Sequence, residues 1–320
     1  MLACRKEKGV AASGNPSVRV VAAGEGGDSM TDVGPIAKQR VETEILARAE
    51  ALPSPPEILA ILQERTNDEN VTVNEIEGLL RQDPALVARL LRLVNSSYFG
   101  LRFTVNNISH AVVLVGFSTL RSLIYAAFAD GLYVNEMPGY GYERRGLWRH
   151  SVRCAFTAKM LATRGVVERT FAEDLFVAGL LHDVGKILLW PSIESRQEEF
   201  DRALADSDGD LLLSERLVCG IDHTEAGALV ARRWALAGNL TESICCHHAP
   251  DGASDYPRQV SAVHLVNWVL SELRVGLLPD HVHSARLEPA AADLLDLDDG
   301  AIDDLKCWLA QTGGQESGVD

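Results

Sequence analysis

Along most of the chain apolar residues recur every three or four positions, and proline and glycine cut that rhythm into helix-length segments. Ile36, Val41, Ile45 and Leu46 share one helical face, which Leu52-Pro53-Ser54-Pro55-Pro56 ends, and a second helix is expected over 57–66. Thr72 followed three residues later by Glu75 is a capping-box pattern that opens a third. Asp83-Pro84 starts the clearest helix of this half, Ala85 to Val94, with aspartate as N-cap and proline at the first helical position. Beyond the turn at 95–100, short helices at 108–114 and 120–128 are expected around Gly116. No strand-like alternation interrupts the pattern, so the fold class is all-α.

A stretch rich in Gly and Pro, 131–146, separates a second helical half. There the pattern predicts helices over 147–162, over the apolar run from Phe176, from about 220 to Trp234, up to His247-His248, and over Ser261 to Trp268. The organisation is therefore a disordered extension (1–35), an N-terminal helical subdomain (36–130), a linker loop (131–146), a second helical subdomain (147–275) and an acidic tail (276–320). Asp293 to Asp304 with Leu305, Trp308 and Leu309 suggests a short amphipathic helix in the tail, docking on the body or on a partner. Met30 opens the better-patterned sequence and is a candidate internal start.

Composition narrows the class. The 320 residues are 47% hydrophobic and 6% aromatic, enough for a sizeable core in one large domain or two closely packed ones. No apolar run approaches the roughly 20 residues of a membrane span, and the N-terminus lacks a secretory signal, so the cytoplasm is the expected compartment. Cys4, Cys154, Cys219, Cys245, Cys246 and Cys307 follow no framework spacing and are read as reduced thiols. A formal charge of -15 argues against nucleic acid as the main partner.

The chemistry centres on Phe176 to Lys186, a buried helix ending in His182-Asp183, then a glycine able to stop it and a lysine. Adjacent imidazole and carboxylate offer a nitrogen and an oxygen to one divalent metal, and a carboxylate can bridge two. The plain alternative is a His-Asp pair bonded to its surroundings. His150, His223 and His247-His248 fall on other apolar helices, and buried polar groups need partners. His150, His182, Asp183, His223 and one of His247 and His248 are therefore expected to meet in one pocket. Cys245-Cys246-His247-His248 is set aside as a zinc cluster, because helix neighbours point in different directions. His281 and His283 are read as solvated, and the run Arg144, Arg145, Arg149, Arg153 as a solvated face able to receive an acidic partner. Lys186 is either a solvated cation near a helix end or faces a phosphate.

The order Leu52-Pro53-x-x-Pro56, Asp83-Pro84-Ala85-Leu86, Leu91-x-Leu93-Val94-Asn95-Ser96-Ser97-Tyr98-Phe99-Gly100 and Ile108-Ser109-His110-Ala111-Val112-x-Leu114-Val115-Gly116 resembles the HDOD family, the HD-related output domain of bacterial signalling proteins. The likeness extends from about Leu52 to Val269, with Val115 where the family usually has leucine. The second half is similar to the HD metal-dependent phosphohydrolases, which makes the second subdomain HD-domain-like and implies His150, His182, Asp183, His223 and His247 or His248 as ligands. The family's last aspartate is replaced by Asn267, whose amide brings no charge. Residues 247–257 also echo the HD-GYP motif, but Ala249 replaces its glutamate and Asp255 the glycine before Tyr256. The resemblance thus implies a non-enzymatic output or adaptor module, with a divalent metal (Fe, Mn or Zn) not required and weakly held. Its expected partners are signalling proteins: a histidine kinase, a response regulator or a second-messenger enzyme. The competing class is a metal-dependent phosphohydrolase of a nucleotide or cyclic dinucleotide.

Overall fold

The computed structural model describes residues 35–64, 72–96, 101, 103–273 and 287–312. The expected disorder before 35, the candidate start at Met30, and His281 and His283 lie outside them. The first half holds α1 (Pro35–Ala51), α2 (Glu57–Glu64), α3 (Val73–Leu80), α4 (Pro84–Val94) and α5 (Ile108–Leu132). Then follow α6 (Gly146–Thr163), α7 (Ala172–Leu181), α8 (Lys186–Glu194), α9 (Gln197–Asp206) and α10 (Leu211–Cys219). The remainder comprises α11 (His223–Arg233), α12 (Gly238–Cys246), α13 (Pro257–Glu272), α14 (Pro289–Leu294) and α15 (Asp299–Thr312). Among the described residues there is no strand, only an isolated bridge between Met137 and Tyr142, so the fold is all-α.

Local chemistry sets the helix starts. Thr72 Oγ1 accepts from Glu75 N and Glu75 Oε2 accepts from Thr72 N, the reciprocal capping box the sequence predicts. Asp83 Oδ1 accepts from Leu86 N at 2.9 Å, with Pro84 at the first helical position. Gly116, at φ 76°, breaks α5 into two helical stretches. Residues 131–146, expected as a loop, pack Tyr133, Met137, Tyr140 and Tyr142 into the interior. The hydrophobic core runs unbroken from α1 to α15. Arg48 of α1 donates to the Leu188 carbonyl at 2.9 Å and to Ser192 Oγ at 2.6 Å, and Trp234 Nε1 donates to the Pro53 carbonyl at 3.1 Å.

The tail forms two helices and docks on the body. Leu295, Ile302, Leu305 and Leu309 are buried, Arg164 lies 4.9 Å over the Trp308 ring, and Lys306 lies 4.3 Å over that of Trp268. By length and apolar composition the stretches Ile108–Leu132 and Arg169–Glu194 could cross a membrane, which the sequence reading did not expect. The first is α5 and the second spans α7 and α8, and 56% and 83% of their most apolar stretches are buried within the fold. No disulfide joins the described cysteines.

Two glycines let the helices approach closely enough to assemble a site. A Cβ on Gly179 would lie 2.8 Å from the Cys154 carbonyl, so α7 lies against the backbone of α6. At Gly185 it would lie 1.9 Å from the His223 carbonyl oxygen and 2.5 Å from Gly227 N, which fixes the turn after Asp183 against α11. Gly185→Ala is accordingly expected to destabilise the protein by about 3 kcal/mol or more, by overpacking against backbone. Gly78→Ala, in α3 with open space around it, should instead stabilise it by about 0.5–1 kcal/mol. Thermal unfolding of the two variants checks the contrast.

Candidate metal centre

Four helices and one turn deliver six polar side chains to one place. α6 and α7 bring His150 and His182, the turn from α7 to α8 brings Asp183, and α11 and α12 bring His223, His247 and His248. His150 Nε2 lies 3.3 Å from His182 Nε2 and 3.5 Å from Asp183 Oδ2, which is 3.4 Å from His182 Nε2. On the other side Asp183 Oδ1 lies 3.3 Å from His223 Nε2 and 3.7 Å from His247 Nε2. His223 Nε2 is in turn 3.4 Å from His247 Nε2 and 3.1 Å from His248 Nε2. The convergence expected from sequence is thus the observed geometry, and both His247 and His248 take part where one was expected. Asn267 is buried on α13, but no hydrogen bond among the described residues ties its amide to the cluster. Neither Cys245 nor Cys246 belongs to the potential metal-holding groups of the described residues.

Hydrogen bonds fix which nitrogen of three histidines faces inward. His182 Nδ1 donates to the Gly179 carbonyl at 2.8 Å and His247 Nδ1 to the Ile244 carbonyl at 3.0 Å. His223 Nδ1 donates to Glu215 Oε2 at 2.7 Å. A carbonyl or carboxylate only accepts, so Nδ1 carries a proton, and in the neutral ring each Nε2 turns a lone pair toward Asp183. Glu215, fully buried, also accepts from His223 N at 2.8 Å and from the Tyr140 hydroxyl at 2.8 Å. This is the carboxylate–histidine arrangement that orients metal ligands. Glu215 was missed from sequence because Leu-Ser-Glu-Arg-Leu reads as an ordinary polar helix face; its only signal is its place eight residues before His223. Cys154 was missed too: its Sγ lies 3.6 Å from His150 Nε2, one turn along α6.

Lys186 is neither solvated nor turned outward. It is 2% exposed, its Nζ donates to Asp183 Oδ2 at 2.7 Å, and it lies 5.6 Å and 5.5 Å from the ring centroids of Tyr140 and Tyr142. Burial alone would raise the Asp183 pKa, but the Lys186 ammonium outweighs it and holds the carboxyl well below the carboxylate range. Burial pushes His247 down to about 3, helped by His182 and His223, and it pushes His248 well down as well. Burial would also lower His223, yet Glu215 raises it.

Inward lone pairs facing a carboxylate form an electron-rich cage, and Asp183 Oδ1 is a buried acceptor with no hydrogen-bond donor among the described residues. Metal–ligand bonds of about 2.0–2.1 Å in a tetrahedron put ligand atoms about 3.3–3.4 Å apart, close to the 3.1–3.7 Å separations around Asp183 Oδ1. Asp183, His223, His247 and His248 form one group able to hold an ion, and His150, Cys154 and His182 another. The donors fit a divalent transition metal, which would supply a Lewis acid to any oxygen that reached it.

An all-α body with a buried His-Asp cluster defines an HD-type helical domain. The model of the HDOD domain matches residues 52–250, and the chain belongs to the HDOD family. A solved HDOD domain protein of unknown function from Geobacter sulfurreducens superposes with a TM-score of 0.68 at 24% identity, covering 88% of this chain and 98% of that one. A provisionally named phosphohydrolase from Shewanella amazonensis gives 0.64 at 27% identity, over 86% and 96%. An uncharacterized protein of Treponema pallidum is 27% identical over 232 residues, 72% of this chain. The chain spans 44% of that relative's length.

Glu215→Gln should weaken zinc binding about 10–100-fold by loosening His223, as titration calorimetry would show. The metal-free protein should also lose stability on acidification. His247 and His248 stay neutral in the fold but protonate near 6.5 when unfolded, so unfolding takes up protons below about pH 6.5. For His247 the loss continues to about 3, at about 1.4 kcal/mol per pH unit. His223 has the opposite sign, contributing below about 6.5 and losing that as pH rises. Burial lowers His264 as well, so three groups stand against one, and urea midpoints should fall between pH 7 and pH 5; a flat or rising profile contradicts the burial described.

Proposed function

We propose that the protein is a non-enzymatic signal-transduction output or adaptor module, in which the His-Asp cluster is an ion-holding core and not a hydrolytic site. The observation that carries this reading is burial: His182, Asp183, His223 and His247 are 0% exposed, His150 is 4%, and only His248 is partly open. A phosphoester must bring its phosphorus within bonding reach of an activated water, and these side chains leave only the edge at His248 open to one. Tyr140 and Tyr142, both buried, lie against Lys186, and Tyr142 also against His150. Asn267 supports the reading further, since a metal-bound hydroxide at neutral pH depends on a tightly held and correctly charged site.

Surface chemistry agrees with a binding role. Val113 is 76% exposed and Phe103 50%, with Leu114 and Phe117 also exposed beside the Gly116 kink. Exposed apolar groups on α5, with Phe103 in the segment before it, support a docking surface for a partner with an apolar face. The partner class is a signalling protein: a histidine kinase, a response regulator or a second-messenger enzyme. The second reading, a metal-dependent phosphohydrolase, is favoured by the donor set itself and by the name given to the Shewanella amazonensis relative.

Purified protein with manganese, iron or magnesium is expected to turn over no cyclic dinucleotide, mononucleotide or simple phosphoester. A signalling partner should bind the wild type and be lost with Val113→Asp and Phe117→Asp. Metal-dependent turnover abolished by Asp183→Ala would replace the adaptor with the phosphohydrolase.

A further inference from the structure

We propose that the centre holds a single divalent transition-metal ion, bound on the Oδ1 side of Asp183 by His223, His247 and His248, and that Lys186 closes the Oδ2 side to a second. The inference rests on the ion-holding reading above but not on whether any ester is hydrolysed.

The two oxygens of Asp183 are not equivalent. Among the described residues Oδ1 has no donor, whereas Oδ2 accepts from Lys186 Nζ at 2.7 Å. Lys186 is held where it is: its stem is buried, its ammonium lies over two tyrosine rings, and it also reaches the Tyr142 hydroxyl at 3.5 Å. A metal between His150 and His182 would have to share Oδ2 with that ammonium, putting a dication beside a fixed cation in a medium of low dielectric.

Charge compensation points the same way. The buried anions that touch the cluster are Asp183 and Glu215, and Lys186 already offsets one. One dication leaves the centre modestly positive, and a second would be uncompensated, since beyond these two no carboxylate among the described residues touches the cluster. The Oδ1 side also offers three imidazoles and one carboxylate, a set suited to zinc, iron or cobalt in the divalent state rather than to magnesium or calcium.

The test is to saturate the full chain with zinc, remove excess metal by dialysis and count bound zinc per chain by mass spectrometry. Cobalt then replaces zinc for an electronic spectrum. One ion per chain is expected, lost in His223→Ala, weakened about ten-fold or more in His248→Ala and retained in Cys154→Ser, with no thiolate-to-cobalt charge-transfer band. Lys186→Met should raise the count to two. If Lys186→Met fails to fold, the wild-type count and the cobalt spectrum decide. No bound ion, two ions in the wild type, or a thiolate band that disappears in Cys154→Ser would overturn the proposal. A count of one together with ester turnover would leave it standing while the adaptor reading fell.

Discussion

A carboxylate with no exposure to water is tolerated only when fixed positive charge or hydrogen-bond donors replace its hydration, and Asp183 has that from one side alone. Lys186 supplies the replacement at Oδ2, and three histidines turn lone pairs toward the rest. Much of the second half follows from this requirement. Gly179 lets α7 reach α6, Gly185 lets the turn after Asp183 meet α11, and Glu215 with Tyr140 locks His223. The tail is tied in through His264, whose Nδ1 donates to the His247 carbonyl at 2.7 Å and whose Nε2 accepts from Glu288 N at 2.9 Å.

The same arrangement limits chemistry. Hydrolysis needs an ion reachable by substrate and enough negative charge to keep it in place. Here the donor residues are almost wholly buried, and the lysine next to the aspartate is held over aromatic rings. Such a cluster can cross-link α6, α7, α11 and α12 into one rigid body. On the proposed adaptor reading, function falls to the surface, where the kinked α5 exposes apolar side chains.

Much of this was legible in the sequence because it is local. A capping box, an Asp-Pro start and a glycine break each act within a few residues, and Thr72, Asp83 and Gly116 do what their types predict. The pocket was legible for a different reason: histidines and an aspartate on apolar helices must find partners, and His150, His182, Asp183, His223, His247 and His248 find each other. What escaped was tertiary. Glu215 and Cys154 look ordinary on their own helices and matter only through helices distant in sequence. Tyr140 and Tyr142 sit in a segment whose Gly and Pro content reads as a solvated loop, yet their rings bury Lys186. Lys186 itself reads as a surface cation because sequence does not reveal which lysine lies beneath aromatic cover.

The central claim is that the ion sits in a closed core and not in an active site open to substrate. Water-proton relaxation of the manganese-loaded protein tests this directly, because it reports water molecules that exchange on and off the ion. No rapidly exchanging inner-sphere water is expected, and relaxation should stay unchanged when phosphodiesters are added. One or more exchanging waters, displaced by a cyclic dinucleotide, would contradict the account and show an open hydrolytic centre.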